Sequence, residues 1–331
     1  MSARVSAVPS TQPLPEHRRI GDRFGDLFLH GLTGAAAAAA AILLGAIAWK
    51  IFQLAWPAIT KYGFAFVTRQ GWDTVHNKFG ALDLIWGTAL TSFAALLIAT
   101  PLSIAIGLYL SELAPRGART VIASLVELLA AIPSVVLGLW GILVLGPFMR
   151  DTIEPALNSV LGFLPIFGGD PSAFGYLTAA VILAIMATPI ITSVTREVFE
   201  TVPRELKEGA YALGATRWEM VRQVVLPYSR AGIVGATMLG LGRAIGEAIA
   251  VAQVIGGAYL INISLFHTGG TLAAQIASQF QNSAGLQKAS LAYLGLILLV
   301  FAVVVNVIAR VIVHRGHISD VAVTPTEAEA L

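Results

Sequence analysis

The sequence predicts an all-α polytopic membrane protein with six transmembrane helices. Of its 331 residues, 56% are hydrophobic and only 12% are charged, with a mean hydropathy of +0.77, whereas soluble domains carry about 25% charged residues. A membrane-spanning helix needs about 20 mostly apolar residues. Six segments meet that requirement, and they cover 32–56, 84–110, 120–148, 173–195, 231–258 and 290–313.

The polar segments between these spans predict how the chain is oriented. One set of segments is a tail at 1–31, the loops at 111–119 and 196–230, and a tail at 314–331 with Arg310 just before it, and together these hold 14 Lys and Arg. The loops at 57–83, 149–172 and 259–289 together hold only five. Positive charge favours the cytoplasmic side of a membrane. We therefore expect both termini and the 196–230 loop to be cytoplasmic, with the membrane domain covering 32–313. No signal peptide is evident in the tail at 1–31.

Composition excludes several classes of function. The chain has no cysteine, which rules out disulfides, thiolate catalysis and Cys-ligated metals. Its six histidines show no metal-ligand spacing, and no catalytic constellation is evident, so we expect neither a metal site nor an enzyme. The net charge of +2 gives no indication of nucleic-acid binding.

Prolines interrupt three of the predicted spans, at Pro101, Pro133 and Pro189. Each lacks a backbone donor and clashes with the preceding turn, which produces either a tolerated kink or a broken helix that lines a path. Pro133 is the strongest candidate for a break, because Glu127 lies one and a half turns before it in the same span. Glu127 is either part of a substrate path or an interfacial carboxylate.

Two opposite charges lie inside the fifth span, Arg243 and Glu247. A charge near the bilayer centre costs about 2.5–3.5 kcal/mol on insertion scales. Spacing i,i+4 places the two on one helix face, close enough to pair, and we expect that face to meet protein or water. The pair is either a static contact that fixes helix packing or part of a transport path, with the glycines at 240, 242 and 246 allowing close helix approach.

The 196–230 loop predicts two short helices joined by a glycine. Pro203 suits a first helical turn, residues 204–213 favour a helix, Gly214 suits its C-cap, and a second helix at 216–225 precedes Pro227. The unit is either a docking element or an amphipathic linker on the inner leaflet. Its apolar side chains are Leu206, Tyr211, Leu213 and Trp218.

The same loop resembles the signature of ABC-importer permeases. The matching residues, in register over twenty positions, are Glu208, Gly209, Ala210, Gly214, Val224, Leu226 and Pro227. Gly209 replaces the usual Ala, and Val224 replaces Ile. The resemblance implies a coupling loop, beginning near Arg204, that docks in a cleft of an ATPase subunit.

A wider resemblance, over about 85–315, is to the phosphate importer permeases of the Pst type, and more to the C-type than to the A-type subunit. It rests on Gly-Arg-Ala-Ile-Gly-Glu at 242–247, on Ala-Leu-Gly-Ala-Thr-Arg-Trp-Glu at 212–219, and on residues 131–141. Ala248 replaces a usual Thr. The resemblance implies a type I ABC importer permease in the bacterial inner membrane.

Such importers contain a second permease subunit, two ATPase subunits and a periplasmic phosphate-binding protein. This chain has no Walker A pattern, so we expect it to bind no cofactor, with ATP and Mg used by the partner ATPase. The resemblance implies that Arg243 attracts phosphate, since a guanidinium suits oxyanions. It also implies that Glu247 pairs with Arg243 or accepts a hydrogen bond from the hydroxyl of monohydrogen phosphate. A permease for another oxyanion, such as sulfate or molybdate, and an ATP-independent transporter remain alternatives.

Overall fold

The computed structural model describes residues 20–318, which are largely helical. The chain divides into two compact units, 1–50 and 51–331. The described part of the first unit is the N-terminal part of helix α1, Ile20–Tyr62, so helix begins within the tail predicted at 1–31. Residues 1–19 and most of the tail predicted at 314–331 lie outside the described residues.

The predicted count of six spans is confirmed, because six described helices are long and apolar enough to cross a membrane. They are Phe28–Tyr62, Leu82–Leu113, Ser134–Leu161, Tyr176–Glu200, Arg217–Gly246 and Gly285–Ile308. Four of them overlap the predicted segments closely. The third and the fifth differ, and both differences arise from breaks in the helices.

The elements follow one another along the chain in a simple order. The helices after α1 are α2 (Ala65–Thr68), α3 (Leu82–Leu108), α4 (Arg116–Ala131), α5 (Ser134–Trp140), α6 (Gly146–Phe148), α7 (Glu154–Leu161), α8 (Tyr176–Glu200), α9 (Arg204–Ala212), α10 (Arg217–Met220), α11 (Leu226–Gly246), α12 (Ile249–Val254), α13 (Leu272–Gln279) and α14 (Gly285–Ile318). Two short strands, β1 (Trp72–Asp73) and β2 (Lys78–Phe79), form an antiparallel hairpin. Wider π-helical turns cover Tyr109–Leu113, Gly141–Leu145, Met149–Ile153 and Val221–Val225, and 3₁₀ turns cover Pro165–Phe167 and Phe280–Asn282.

Helices α3 and α8 pack side by side and run in the same direction at the centre of the second unit. A Cβ on Gly87 near the start of α3 would meet the Tyr176 ring at the start of α8, and a Cβ on Gly107 would lie 2.8 Å from Thr195 Oγ1 near the other end of α8. Small residues therefore allow close approach along the whole interface. Buried hydroxyls such as Thr188 Oγ1 donate to the carbonyl four residues earlier, 2.7 Å for Ala184, which satisfies them within the apolar core.

The β-hairpin marks one end of the bundle, which we call the hairpin end. Phe66, Trp72 and Phe79 are buried together there, and the Phe66 ring stacks on Tyr293 with centroids 4.6 Å apart. The hairpin turn is held by Asp73, whose Oδ1 accepts the backbone N–H groups of Val75 and His76 at 2.9 and 3.0 Å. The backbone N–H and the imidazole of His76 keep the pKa of that carboxyl below its usual value. The loop predicted at 57–83 is therefore an ordered cap.

The opposite end, which we call the loop end, carries α9 and α10. Apolar side chains from the end of α8 and the segment after it, from α10 and from the Val221–Val225 turn form a separate buried cluster, whose members are Phe199, Val202, Met220, Val221 and Val225. Helix α8 ends at Glu200 and a continuous helix resumes at Arg217. The loop predicted at 196–230 is therefore shorter, because Pro227 does not interrupt the helix that contains it.

Pro227 is accommodated by the π-helical turn before it. A proline inside an α-helix clashes with the carbonyl four residues earlier, here that of Gln223. The chain is wound more widely over Val221–Val225, and such π-bulges relieve this kind of conflict. The helix then continues as α11 with Pro227 in its first turn.

The third crossing is broken at Pro133, as the sequence suggested. By length and hydropathy alone, the third membrane-spanning helix would be Ser134–Leu161. The packing shows instead that α4 and α5 together cross the bundle. Helix α4 starts at the loop end, where Arg119 Nη2 donates to the Ser111 carbonyl at 2.7 Å. Gly146 is already at the hairpin end, against the backbone of Ala173. The predicted span at 120–148 thus covers the crossing, but as two helices rather than one.

Candidate functional site

Arg243 lies in the last turn of α11 and its side chain is exposed, whereas the adjacent Ala244 and Ile245 are buried. Among the described residues, no carboxylate lies within ion-pair distance of the guanidinium. The residue therefore presents an uncompensated positive charge on one face of the fifth crossing.

The predicted helical pairing of Arg243 with Glu247 is wrong. Helix α11 ends at Gly246, and Glu247 is extended with ψ 121°, so the two residues do not share one helix face. Glu247 Oε1 instead accepts a hydrogen bond from the Ala250 N–H at 3.3 Å, at the start of α12. That contact satisfies one of the amides left open at a helix N-terminus, and the fifth crossing is therefore α11 followed by α12.

Glu127 is exposed on α4, in the turn and a half before the break at Pro133. None of the hydrogen bonds or ion pairs found among the described residues joins it to Arg243 or Glu247. Helix α4 has no buried residue, so one whole side of this half of the third crossing is open.

The two broken crossings meet directly through α5 and α12. A Cβ on Gly138 would lie 2.7 Å from Gln253 Oε1 and 3.0 Å from Ala250 Cα, which only glycine permits. Both helices run from their breaks towards the hairpin end, where the Gly175 N–H donates to the Val254 carbonyl at 3.1 Å. Two interruptions at similar depth therefore expose backbone groups inside the bundle, which is tolerated only where they meet protein or a water-filled cavity.

The glycines of α11 divide into two faces. Added Cβ atoms on Gly232 and Gly240 would collide with Val198 and Ile191 of α8, so these two glycines serve packing within the chain. Added Cβ atoms on Gly235, Gly242 and Gly246 would meet nothing within 4 Å. The predicted small-residue face thus includes 242 and 246 but not 240, and it borders the exposed Arg243.

The predicted helix–glycine–helix unit at the loop end is confirmed. Helix α9 covers Arg204–Ala212, and Gly214 follows with φ +85°. The Gly214 N–H donates to the Tyr211 carbonyl at 2.9 Å and the Ala215 N–H to the Ala210 carbonyl at 3.0 Å. This is the Schellman pattern, which satisfies the last carbonyls of a helix and requires a left-handed residue.

Helix α10 begins with a capping box that the sequence reasoning missed. Thr216 Oγ1 accepts the Glu219 N–H at 3.3 Å, and Glu219 Oε2 accepts the Thr216 N–H at 2.8 Å. The signal was present, since Thr followed three residues later by Glu is the pattern of such a box. The start of the second helix is therefore fixed directly after the Gly214 turn.

The signature residues occupy two different environments. Ala210, Val224 and Leu226 pack against the buried cluster at the loop end, and Pro227 is half-buried. Arg204, Glu208, Gly209 and Gly214 are exposed. The first group anchors the unit to the membrane domain, and the second leaves its outer surface open.

The apolar side chains of this unit are uncovered. Leu213 is 91% exposed and Trp218 is 66% exposed, and Leu206 and Tyr211 are also exposed. These four residues and the backbone of Gly214 form a surface that we call the loop surface. Several exposed apolar side chains carried by one ordered unit mark a candidate interaction site.

One ion pair at this end has no sequence signal. Lys207 Nζ lies 2.6 Å from Glu112 Oε1, across 95 positions of the chain. It joins α9 to the π-helical turn at the end of α3. Among the described residues, no group of three or more acidic or histidine side chains is arranged to hold a metal ion.

Comparison with known proteins agrees with this architecture. Residues 99–316 match the family of binding-protein-dependent transport system inner membrane components. The chain is 45% identical to the phosphate transport system permease protein PstC of Mesorhizobium japonicum, over 95% of this chain and 98% of that protein. It is 43% identical to PstC of Xylella fastidiosa, over 93% and 96%.

A chain of a bacterial alginate ABC transporter, crystallised with its alginate pentasaccharide-bound periplasmic protein, shares the fold. It superposes with a TM-score of 0.55 at 18% identity, over 88% of this chain and 98% of that one. The chain therefore belongs to the family of binding-protein-dependent inner-membrane permeases and, within it, to the PstC permeases. It is a multi-pass inner-membrane subunit and not itself an enzyme.

Proposed function

We propose that the chain is a permease subunit of an ATP-driven importer of inorganic phosphate. It forms the translocation path together with a second permease subunit, two ATPase subunits supply the energy, and a phosphate-binding protein delivers the ion. The PstC relatives support the substrate, since each is named as part of a phosphate transport system. ATP and Mg are bound by the ATPase subunits.

The observation that carries this proposal is the uncovered loop surface. A short helix, a left-handed glycine and a second capped helix hold Leu213 and Trp218 out from the bundle. Leaving such side chains in water has a free-energy cost, and a rigid helical unit fits a groove on a partner. We assign that groove to the ATPase subunit, with Glu208, Gly209 and Arg204 at the rim of the contact.

Arg243 is proposed to attract phosphate within the path. Its guanidinium is exposed beside the open glycine face of α11, a face that the second permease subunit would meet. A planar guanidinium binds oxyanions through paired hydrogen bonds. Because the charge is not neutralised by Glu247, it remains available to an incoming anion.

Glu247 and Glu127 are assigned secondary roles in the same path. Glu247 uses Oε1 to hold the start of α12, and its other oxygen is available to accept a hydrogen bond from the O–H of monohydrogen phosphate, a donor that sulfate lacks. Glu127 lies beside the second break, on the open side of α4. A carboxylate at this position would disfavour tight anion binding by repulsion, which helps phosphate to leave.

Both termini and the loop end are proposed to be cytoplasmic, as the distribution of Lys and Arg indicates. The chain contains no cysteine, so single cysteines report orientation without background. We expect Leu213→Cys to react with a membrane-impermeant maleimide only in inverted vesicles from cells that lack the ATPase subunit. Val75→Cys, in the hairpin, should react only in intact cells, and the reverse pattern would overturn the orientation.

The proposed function is tested by uptake of radiolabelled phosphate into proteoliposomes. They would contain this chain with the second permease, the ATPase and the binding protein. We expect uptake that requires ATP and persists in excess sulfate or molybdate. Competition by either oxyanion would make that oxyanion the substrate, and uptake without ATP would reject the importer class.

A further inference from the structure

The ion pair between Lys207 and Glu112 is shielded more than an ordinary surface contact. The two side chains are only 17% and 11% exposed, and their charged atoms are 2.6 Å apart. Lys207 Nζ also donates to the Phe199 carbonyl at 3.4 Å, in the last turn of α8. Removing one partner of such a pair leaves the other charge in a site where water only partly replaces it.

Glu112 lies where several helices meet. It belongs to the π-helical turn Tyr109–Leu113, which continues α3. In the same turn, the Ser111 carbonyl accepts a hydrogen bond from Arg119 of α4 at 2.7 Å. The turn is thus joined to α9 by Lys207 and to α4 by Arg119, and α4 leads to the break at Pro133.

Helix α9 has few other fixed contacts with the membrane domain. None of its residues is buried, and Ala210 alone among them packs against the apolar cluster at the loop end. Apolar contacts are non-directional, so they allow α9 to slide. A charged hydrogen bond has a defined direction and length, so the Lys207–Glu112 pair is the contact best suited to move α3 when α9 moves.

We propose that Lys207 and Glu112 are positioning residues that transmit movement of the loop surface to α3 and, through Arg119, to α4. The inference rests on the proposed function, because it assumes that a partner moves α9. It assigns the pair to coupling between the ATPase cycle and the path, and not to contact with phosphate or with ATP.

A matched control is present on α8. Arg196 and Glu200 form an ion pair with Nε and Oε1 3.0 Å apart, with side chains 31% and 45% exposed. This pair lies near the same end of the bundle but joins two residues of one helix. Arg196→Gln removes the same charge as Lys207→Gln without disconnecting any elements.

The test compares Lys207→Gln, Glu112→Gln, the charge-exchanged Lys207→Glu/Glu112→Lys double variant and Arg196→Gln in the complete reconstituted transporter. Phosphate uptake and ATP hydrolysis are measured in the same vesicles. We expect each single variant at 207 or 112 to lower the phosphate carried per ATP by about tenfold. The charge-exchanged variant should restore most of it, and Arg196→Gln should leave it unchanged.

An unchanged ratio in assembled complexes of both single variants would overturn the proposal. Single variants whose complexes fail to assemble, and whose assembly the charge-exchanged variant does not restore, would also overturn it. Residues 207 and 112 would then serve the stability of the complex and not the transmission of movement. If the unmodified complex carries no phosphate, the proposed function fails instead. Amide hydrogen exchange of the same variants then tests the ion pair separately. Faster exchange of α9 amides in the single variants, with normal exchange in the double variant, would support the connection of α9 to α3 through this pair. Unchanged exchange would reject it.

Discussion

Gly214 offers a sharp test of the loop geometry. Its φ of +85° lies in the left-handed region, and an added Cβ would meet no atom within 4 Å. The cost of Gly214→Val therefore comes from the backbone and not from a collision. A left-handed conformation costs an L-residue about 1–2 kcal/mol, and a β-branched residue is expected at the upper end of that range.

This cost acts on two hydrogen bonds, those from the Gly214 and Ala215 amides to the end of α9. A change of about 1–2 kcal/mol raises the population of the open turn about 5- to 30-fold. We expect amide exchange at 214 and 215 in the purified chain to accelerate by the same factor. Gly214→Asn should accelerate exchange less, because Asn tolerates the left-handed region.

Gly209→Ala is the matched control for this substitution. Gly209 is helical, with open space around an added Cβ, and Ala there stabilises a helix by about 0.5–1 kcal/mol. Exchange should slow or stay the same. In the assembled transporter, we expect Gly214→Val, but not Gly209→Ala, to separate ATP hydrolysis from uptake. Equal exchange rates in Gly214→Val and the unmodified chain would mean that the left-handed turn at 214 does not hold the end of α9.

Three further substitutions test other parts of the structure. Arg243→Gln should reduce phosphate uptake to background while complex assembly and ATPase docking persist, and near-normal uptake would remove Arg243 from the path. Gly240→Val should destabilise the purified chain by about 1–3 kcal/mol in thermal unfolding, because the added side chain overpacks against Ile191. Gly242→Val should be neutral by comparison, and equal effects of the two substitutions would contradict the division of the α11 glycines into two faces. Thr216→Ala should destabilise the first turn of α10 by about 0.5–2 kcal/mol, which is measured as faster hydrogen exchange of the Glu219 amide. Unchanged exchange at Glu219 would mean that the capping box does not hold the start of α10.

The sequence predicted the spans and the Gly214 turn because both depend on local properties. Hydrophobic transfer is set by about 20 consecutive residues, so six segments were recognisable from composition alone. A glycine after an amphipathic helix is an established C-cap signal, and α9 ends as expected. The helix break at Pro133 was predictable for the same reason, since proline lacks a backbone N–H donor in any environment.

The break at Glu247 was not predictable in the same way. No proline marks it, and i,i+4 spacing within an apolar stretch favours a continuous helix with a paired Arg243. The break is instead accompanied by a tertiary contact, in which α12 packs on α5 through Ala250 and Gly138. The Lys207–Glu112 contact was equally hidden, since it joins positions 95 residues apart and single-sequence patterns carry no such information.

The loop surface is proposed as the contact through which an ATPase subunit drives this permease. A single Leu213→Cys in the otherwise cysteine-free chain tests it by cross-linking within the purified four-component complex, with Phe163→Cys in another exposed segment as control. We predict a cross-link from position 213 to the ATPase subunit, whose yield changes on ATP binding, and none from position 163. No cross-link from position 213, in a complex that imports phosphate, would mean that the loop surface is not the ATPase contact.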